Sequence, residues 1–241
     1  MLFLARELDD PNPATCGRCA VCRGEPLLPE TYSSVLVEQA VQFLRRSDQP
    51  IKPRKHWPPN ALVAHGWVGK IAVELQAEEG RALCLWGDDG WGEGVRRGKQ
   101  EVGHFDDTLV SALVSMVCDR WRPAPFPTWV TCVPSLNHPE LVPNFARRVS
   151  QALGLPFIPC VSKIRQTQPQ KLMENSYWRA HNLENAFAVE QFKVRRGPVL
   201  LLDDMVDSGW TFTVIAALLR SAGSGPVLPV ALSVTTRTGD V

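Results

Sequence analysis

The most regular feature of the sequence is an alternation of continuous apolar runs with apolar residues at helical spacing across residues 104–241. Continuous apolar runs are typical of buried parallel strands, and apolar residues that recur every three or four positions are typical of helices. The pattern therefore predicts an α/β domain with a parallel sheet. The predicted strands are 129–133, 157–161, 199–202 and 226–234, and helical stripes cover 109–121, 141–153 and 214–219.

Upstream of Gly103 the pattern is less regular. An apolar stripe predicts a helix over 31–46 that begins after Ser33 or Ser34, and the dense glycines of 87–94 predict turns between short elements. We therefore expect a domain boundary near Gly103. The expected regions are 1–29, 30–103 and 104–241.

Three carboxylates stand at the end of the third predicted strand. The run 199–202 leads directly into Asp203 and Asp204, and Asp207 opens a turn that contains Gly209. Ligands of open α/β sheets bind beyond the carboxyl ends of the strands, and free N–H groups at a helix start suit a phosphate. The pattern predicts that the 207–211 loop binds a phosphate while the carboxylates reach a sugar. The alternative is a structural strand–turn–helix with solvated acids.

Composition and charge narrow the classes of partner. The 241 residues carry a formal net charge of +1, so any nucleic-acid surface must be local. No apolar run reaches the length of a membrane span, and no signal-peptide core is present. Seven cysteines, four of them scattered through apolar surroundings, suit a reducing cytoplasm better than a disulfide scaffold. We expect a cytoplasmic protein with no membrane partner.

Three cysteines are clustered near the amino end with the spacing C-x-x-C-x-x-C: Cys16, Cys19 and Cys22. Thiolates at this spacing suit zinc, whose tetrahedral site takes four ligands, so a fourth is missing from the cluster. An iron–sulfur run would require a cysteine at position 26, which is Pro26. The alternative is a loop with three unligated thiols.

A basic and aromatic arm occupies residues 51–58. Its candidate DNA contacts are Lys52, Arg54 and Lys55 for phosphates and Trp57 for stacking on a base. A solvated surface loop explains the same composition equally well.

The stretch 199–211, VLLLDDMVDSGWT, resembles the signature of type I phosphoribosyltransferases, which use phosphoribosyl pyrophosphate (PRPP) with Mg²⁺. The resemblance implies that Asp203 and Asp204 contact the ribose hydroxyls. It also implies that Asp207 serves as general base and that the loop wraps the 5′-phosphate. Trp210 departs from the family, which usually has a smaller or flexible residue there. The implied loop residues are Asp207, Ser208, Gly209, Trp210 and Thr211.

The same resemblance assigns two further segments. The loop after the first core strand would bind pyrophosphate, which here means Pro134, Ser135, Leu136 and Asn137. Pieces of the polar stretch 163–187 resemble ComF-type phosphoribosyltransferases and imply a cationic lid. A solvated surface charge is the alternative for each lid residue. The lid candidates are Lys163, Arg165, Lys171 and Arg179.

The cysteine cluster resembles the zinc-binding subdomain of RecQ-family DNA helicases. In that family another cysteine precedes the cluster, so this chain resembles the carboxyl-terminal piece of a longer protein. The helicase motor would lie upstream, and 30–103 would be a winged-helix-like region that binds DNA. The combined expectation is an accessory part of a RecQ-like helicase in DNA repair, with a domain that binds PRPP or a nucleotide. Alternatives are a non-catalytic module that binds a nucleotide or a DNA 5′-phosphate, and a structural docking domain. Catalytic activity is left open.

Overall fold

The computed structural model describes residues 2–28, 31–168, 173 and 175–235. The chain divides into two compact units, Met1–Val41 and Gln42–Val241. None of the helices in the described residues is long and apolar enough to cross a membrane.

The first unit holds two short helices, α1 (Leu2–Glu7) and α2 (Ala20–Arg23), and helix α3 (Ser34–Arg45) starts within it. Their described residues include none that is buried. An apolar core therefore contributes little to the order of this unit, which makes the cysteine cluster the feature best able to organise it.

The second unit is built on a five-stranded sheet in the order β1-β2-β7-β6-β3. All pairings are parallel except β1 with β2, and β4 and β5 form a separate antiparallel pair. The strands are β1 (Gln49–Ile51), β2 (Gly80–Leu85), β3 (Trp129–Cys132), β4 (Val161–Lys163), β5 (Phe187–Val189), β6 (Val199–Val206) and β7 (Val227–Val234).

Helices cover both faces of this sheet. Along β6, Leu200 and Leu202 face the apolar layer of α5 and α6, whereas Val199 and Leu201 face the layer of α8. A strand buried on both faces needs a continuous apolar run, as 199–202 provides. The helices of this unit are α4 (Gly92–Arg97), α5 (Asp107–Ser115), α6 (Leu141–Ala152), α7 (Ser176–His181) and α8 (Trp210–Ser221), with π-helical turns at Gly98–Val102 and Met116–Trp121.

The predicted α/β class with a mostly parallel sheet is confirmed. The strand predicted over 157–161 does not form as one element. Phe157 makes a single parallel bridge to Val130, and Val161 begins β4 of the separate antiparallel pair. The boundary predicted near Gly103 falls inside the second unit, because β1 and β2 pair into the main sheet. That pairing also leaves the winged-helix expectation for 30–103 without support.

The direction of strand addition reverses between β3 and β6. After β3 the chain returns through α6 to the bridge at Phe157 on one side of β3, and later comes back so that β6 pairs on the other side. In open α/β sheets a crevice opens at such a switch point, beyond the carboxyl ends of the two strands. The loops 134–137 and 207–211 follow these two strands and border the crevice.

Candidate functional site

The acidic pair, Asp203 and Asp204, lies at the carboxyl end of β6, where side chains alternate between the two faces of the sheet. The N–H of Asp204 donates to Oδ1 of Asp203 over 2.8 Å. The Asp204 residue is 8% exposed, and each of its carboxylate oxygens lies 3.0 Å from Nζ of Lys99. Lys99 thus supplies the countercharge to one member of the pair.

The two carboxyl groups differ in their tendency to ionise. Burial, reinforced by the neighbouring Asp204 carboxylate, raises the pKa of Asp203 well above its ordinary value, although Lys99 and Lys163 oppose the shift. Asp204 is the member with a direct ammonium partner. Burial thus opposes ionisation of Asp203, whereas the Asp204 carboxylate has a countercharge in contact with it.

The 207–211 loop turns sharply into α8. Gly209 has φ 76°, a left-handed conformation that glycine adopts without steric cost, and α8 starts at the next residue. Asp207 is held from two sides, because Oδ1 accepts a hydrogen bond from Thr235 over 3.1 Å and Oδ2 lies 3.4 Å from Nη1 of Arg179. The loop therefore presents the N-terminal end of a twelve-residue helix to the crevice.

Two cavities open at this edge of the sheet. The first has a volume of about 720 Å³ and reaches the 134–137 loop, Lys163 and Arg165. The second, of about 790 Å³, is bordered by residues 207–209 and Arg179. Because they share lining residues, the two cavities adjoin. The shared residues are Lys99, Ser135, Asn137, His138, Asp203 and Thr211.

Comparison with solved structures finds similar chains among the phosphoribosyltransferases. These neighbours include adenine phosphoribosyltransferases from two organisms. The enzyme from Thermoanaerobacter pseudethanolicus is 16% identical with a TM-score of 0.36, over 53% of this chain and 79% of that chain. The enzyme from Leishmania donovani is 17% identical with a TM-score of 0.39, over 79% of this chain and 66% of that chain. No family model matches the chain, and no curated protein sequence matches it.

Most of the residues predicted for the PRPP site border the two cavities, with three exceptions. Leu136 lines neither cavity and is 48% exposed. Trp210 is 2% exposed and its side chain packs in the apolar core, so a ligand in the cavities would meet the backbone of the loop and not this indole. Lys171 lies outside the described residues.

Arg165 borders the first cavity, but its guanidinium is engaged with the backbone. Nη2 donates to the carbonyls of Asn182 and Glu184 over 2.9 and 2.7 Å. Lys163 also borders this cavity, and burial lowers the pKa of its ammonium. Of these two lid candidates, Lys163 is therefore the better placed to meet an anion.

The predicted DNA-binding arm behaves differently from its expectation at two positions. Trp57 is 4% exposed and stacks on Trp67 with centroids 4.6 Å apart, so its ring is not available to a nucleic-acid base. Arg54 donates from Nε and Nη2 to the Ser208 carbonyl over 3.1 and 2.6 Å, and its guanidinium lies 5.1 Å from the Trp210 ring. Trp57 also stacks on Trp210 with centroids 6.4 Å apart, so both residues contact the 207–211 loop. Lys52 and Lys55 are exposed.

Three residues of the site were not predicted from the sequence: Lys99, His138 and Thr235. Lys99 precedes Asp204 by 105 residues, and Thr235 follows Asp207 by 28. His138 directly follows the predicted pyrophosphate loop, and its N–H donates to Oγ of Ser135 over 3.3 Å. Of these three residues, only His138 could have been found from the sequence, because it is adjacent to the predicted loop.

The cysteine cluster in the first unit has the geometry of a metal site. The thiol sulfurs of Cys16, Cys19 and Cys22 lie within 4.8 Å of one another, and Sγ of Cys16 is 3.7 Å from Sγ of Cys22. Sulfurs on a tetrahedral zinc with bonds of about 2.3 Å would be about 3.8 Å apart. Backbone N–H donors, that of Arg18 foremost, lower the pKa of Cys16 to about 6, which favours the thiolate. These three cysteines could bind a metal ion.

Proposed function

We propose that the second unit binds PRPP, or a closely related sugar phosphate, in the crevice between β3 and β6. One observation carries this proposal: the acidic pair, the 207–211 loop and the 134–137 loop meet across two adjoining cavities at the switch point of the sheet. The combined size suits a ligand with two anionic groups on one sugar.

In this proposal the parts of the ligand divide among the elements. The 5′-phosphate binds to backbone N–H groups of the 207–211 loop at the start of α8. The ribose hydroxyls bind to Asp203 and Asp204. The diphosphate lies in the first cavity, where Ser135 and Asn137 offer hydrogen-bonding groups and Lys163 offers charge.

Magnesium would arrive with the ligand. Among the described residues, the only convergent group of three potential metal ligands is the cysteine cluster, so the crevice is not a preformed Mg²⁺ cage. Mg²⁺ commonly binds through one or two carboxylates together with substrate phosphates. Asp203 and Asp204 are the carboxylates placed to serve in this way.

Binding without turnover is the second candidate, and the contacts of Asp207 favour it. A general base must lie within hydrogen-bond reach of the nucleobase proton, whereas both carboxylate oxygens of Asp207 are engaged, one with the Arg179 guanidinium and one with the Thr235 hydroxyl. A module with these contacts could bind a nucleotide or a DNA 5′-phosphate and regulate a larger assembly. Turnover would instead require Asp207 to leave this pairing.

Calorimetric titration with PRPP and Mg²⁺ tests the binding proposal. The double substitution Asp203→Ala and Asp204→Ala should abolish measurable binding. Asp89→Ala is the matched control, because Asp89 is exposed and lines neither cavity. Heat of binding that is unchanged in the double variant would contradict the proposed site.

Release of pyrophosphate from PRPP separates the two candidates. The assay is run with nucleobases, nucleotides and DNA as acceptors. Pyrophosphate release that Asp207→Asn abolishes would establish a transferase, whereas tight PRPP binding with no release would establish a binding module.

For the first unit we propose zinc at Cys16, Cys19 and Cys22, with a fourth ligand from outside this cluster. The sulfur spacing and the donor type support zinc. Elemental analysis of the purified chain should give one zinc per molecule, lost on Cys19→Ser and retained on Cys118→Ser, which removes an exposed thiol elsewhere. If the unmutated chain contains no zinc, the proposal is wrong and the three cysteines are unligated thiols.

We further propose that the chain acts beside a RecQ-like helicase motor and contacts DNA. This proposal is supported by the cysteine cluster and by the exposed ammonium groups of Lys52 and Lys55. Fluorescence anisotropy with labelled single- and double-stranded DNA should show binding that weakens on Lys52→Glu with Lys55→Glu. Lys193→Glu, an exposed charge elsewhere, should have no effect.

A further inference from the structure

Lys99 comes from an unusual backbone segment. It lies in the π-helical turn Gly98–Val102, a conformation that is rare and often found at functional sites. The turn packs closely, because a Cβ atom at Gly98 would lie 2.8 Å from the His104 carbonyl oxygen and 2.8 Å from the Phe105 ring. Phe105 is itself fully buried. The backbone that carries Lys99 is therefore fixed against the core.

The ammonium of Lys99 stands where the two cavities meet. It lines both of them, and its side chain is 23% exposed. Within the described part of the chain, its hydrogen bonds run to a single group, the Asp204 carboxylate. An ammonium has three N–H donors, so at least one remains for a ligand.

The charge balance of the crevice requires a cation at this point. A ligand that carries a diphosphate beside the acidic pair would be repelled by an uncompensated carboxylate. Asp204 is the member of the pair in direct contact with an ammonium group, and Lys99 supplies its countercharge. Lys163 supplies a second ammonium, but it borders the first cavity alone.

We propose that Lys99 is a specificity-determining residue that binds the diphosphate of the ligand and so selects PRPP over a sugar monophosphate. This inference rests on the proposed function of the second unit. Lys99 holds the Asp204 carboxylate toward the sugar with two donors and meets a diphosphate oxygen with the third. A ligand with only a 5′-phosphate fills the second cavity and gains nothing from this contact.

The test compares two ligands in calorimetric titrations of the full chain. Ribose 5-phosphate reports the second cavity, and PRPP reports both. Lys99→Met should weaken PRPP binding about tenfold or more, because a charge-assisted hydrogen bond to the diphosphate is lost. It should weaken ribose 5-phosphate binding several times less, because that ligand loses only the positioning of Asp204. Lys99→Arg should restore much of the PRPP affinity.

Two further variants serve as controls for the comparison of the two affinities. Arg97→Met removes an exposed cation two residues away that lines neither cavity, and it should leave both affinities unchanged. Gly98→Ala keeps the lysine but displaces its backbone, and it should reproduce the selective loss of PRPP affinity. Thermal unfolding identifies any variant that does not fold, and Lys99→Gln then replaces Lys99→Met.

The outcomes separate the inference from the proposed function. An equal loss of both affinities in Lys99→Met would show that Lys99 only positions Asp204, and an unchanged PRPP affinity would show that it does not bind the ligand. Either result overturns the inference while the proposed function stands. An unmutated chain that binds neither ligand overturns both.

Discussion

At the scale of single residues, Asp203 combines its proposed ligand-binding role with a cost to stability. Because burial raises its pKa, the folded state holds the proton more tightly than the unfolded state between the ordinary and the raised pKa. Stability therefore falls as pH rises through this window and stays lower above it. The site retains a carboxyl group that opposes folding at neutral pH.

The substitution Asp203→Asn tests this cost. The variant should be more stable than the unmutated chain at pH 7, and the difference should vanish below about pH 3, where the carboxyl is protonated in both states. Its affinity for PRPP should fall at the same time. Chemical denaturation at a series of pH values measures the first effect. A variant that is destabilised at pH 7 would contradict the assignment.

Arg54 is expected to act on the ligand through the loop that it supports. Arg54→Ala removes two hydrogen bonds to the Ser208 carbonyl and the contact with Trp210. The free energy of unfolding should fall by about 1–2 kcal/mol, and PRPP affinity should fall severalfold. Denaturation and calorimetry measure the two effects. Lys55→Ala, an exposed neighbour, is the control and should change neither quantity.

The residues that could be predicted from the sequence share one property. Asp203, Asp204, Asp207 and Gly209 are contiguous and follow an apolar strand, so local pattern reveals them. Lys99 reaches the site only through tertiary packing, and its sequence neighbourhood shows glycines and exposed charges. Trp57 was misjudged for a related reason, because composition does not distinguish an aromatic residue in a basic surface arm from one in the core.

At the scale of elements, the junction between β6 and α8 depends on a left-handed glycine. Gly209 has φ 76°, and a Cβ atom there would meet nothing within 4 Å. A substitution is therefore strained by backbone conformation and not by crowding. The strain should move the loop amides that the proposed phosphate requires.

Gly209→Ala should lower the free energy of unfolding by about 1 kcal/mol and weaken PRPP binding. Gly87→Ala is a close match, because Gly87 has φ 75°, has nothing within 4 Å of its Cβ position and lines neither cavity. It should cost similar stability and leave affinity unchanged. Calorimetry that shows equal affinity loss in both variants would contradict a local role for the loop.

The elements themselves were predictable to different degrees. Strands and helices of 104–241 follow strong periodicity, and most of them appear where the pattern places them. Strand β2 was missed as a member of the same sheet, because its partner β7 lies about 150 residues later and pairing at that distance leaves no periodic signal.

At the scale of the whole molecule, residues before Gly103 complete the sheet. Ala82, Leu83 and Cys84 on β2 are fully buried, and β2 pairs with β7. A fragment of 104–241 should therefore expose β7 as an edge strand and aggregate, whereas a fragment of 42–241 should remain monomeric. Light scattering and circular dichroism distinguish the two. A monomeric, folded 104–241 fragment would contradict this view of the sheet.

The position of β7 also sets the order of events during synthesis. This strand lies between β2 and β6, although it follows both along the chain. Until residue 234 has left the ribosome, the two parts of the sheet have no strand to join them, and β2 and β6 each offer an unpaired edge to other chains. Long-range parallel pairing of this kind also slows folding. The nascent protein therefore closes its sheet only after the last strand has been synthesised.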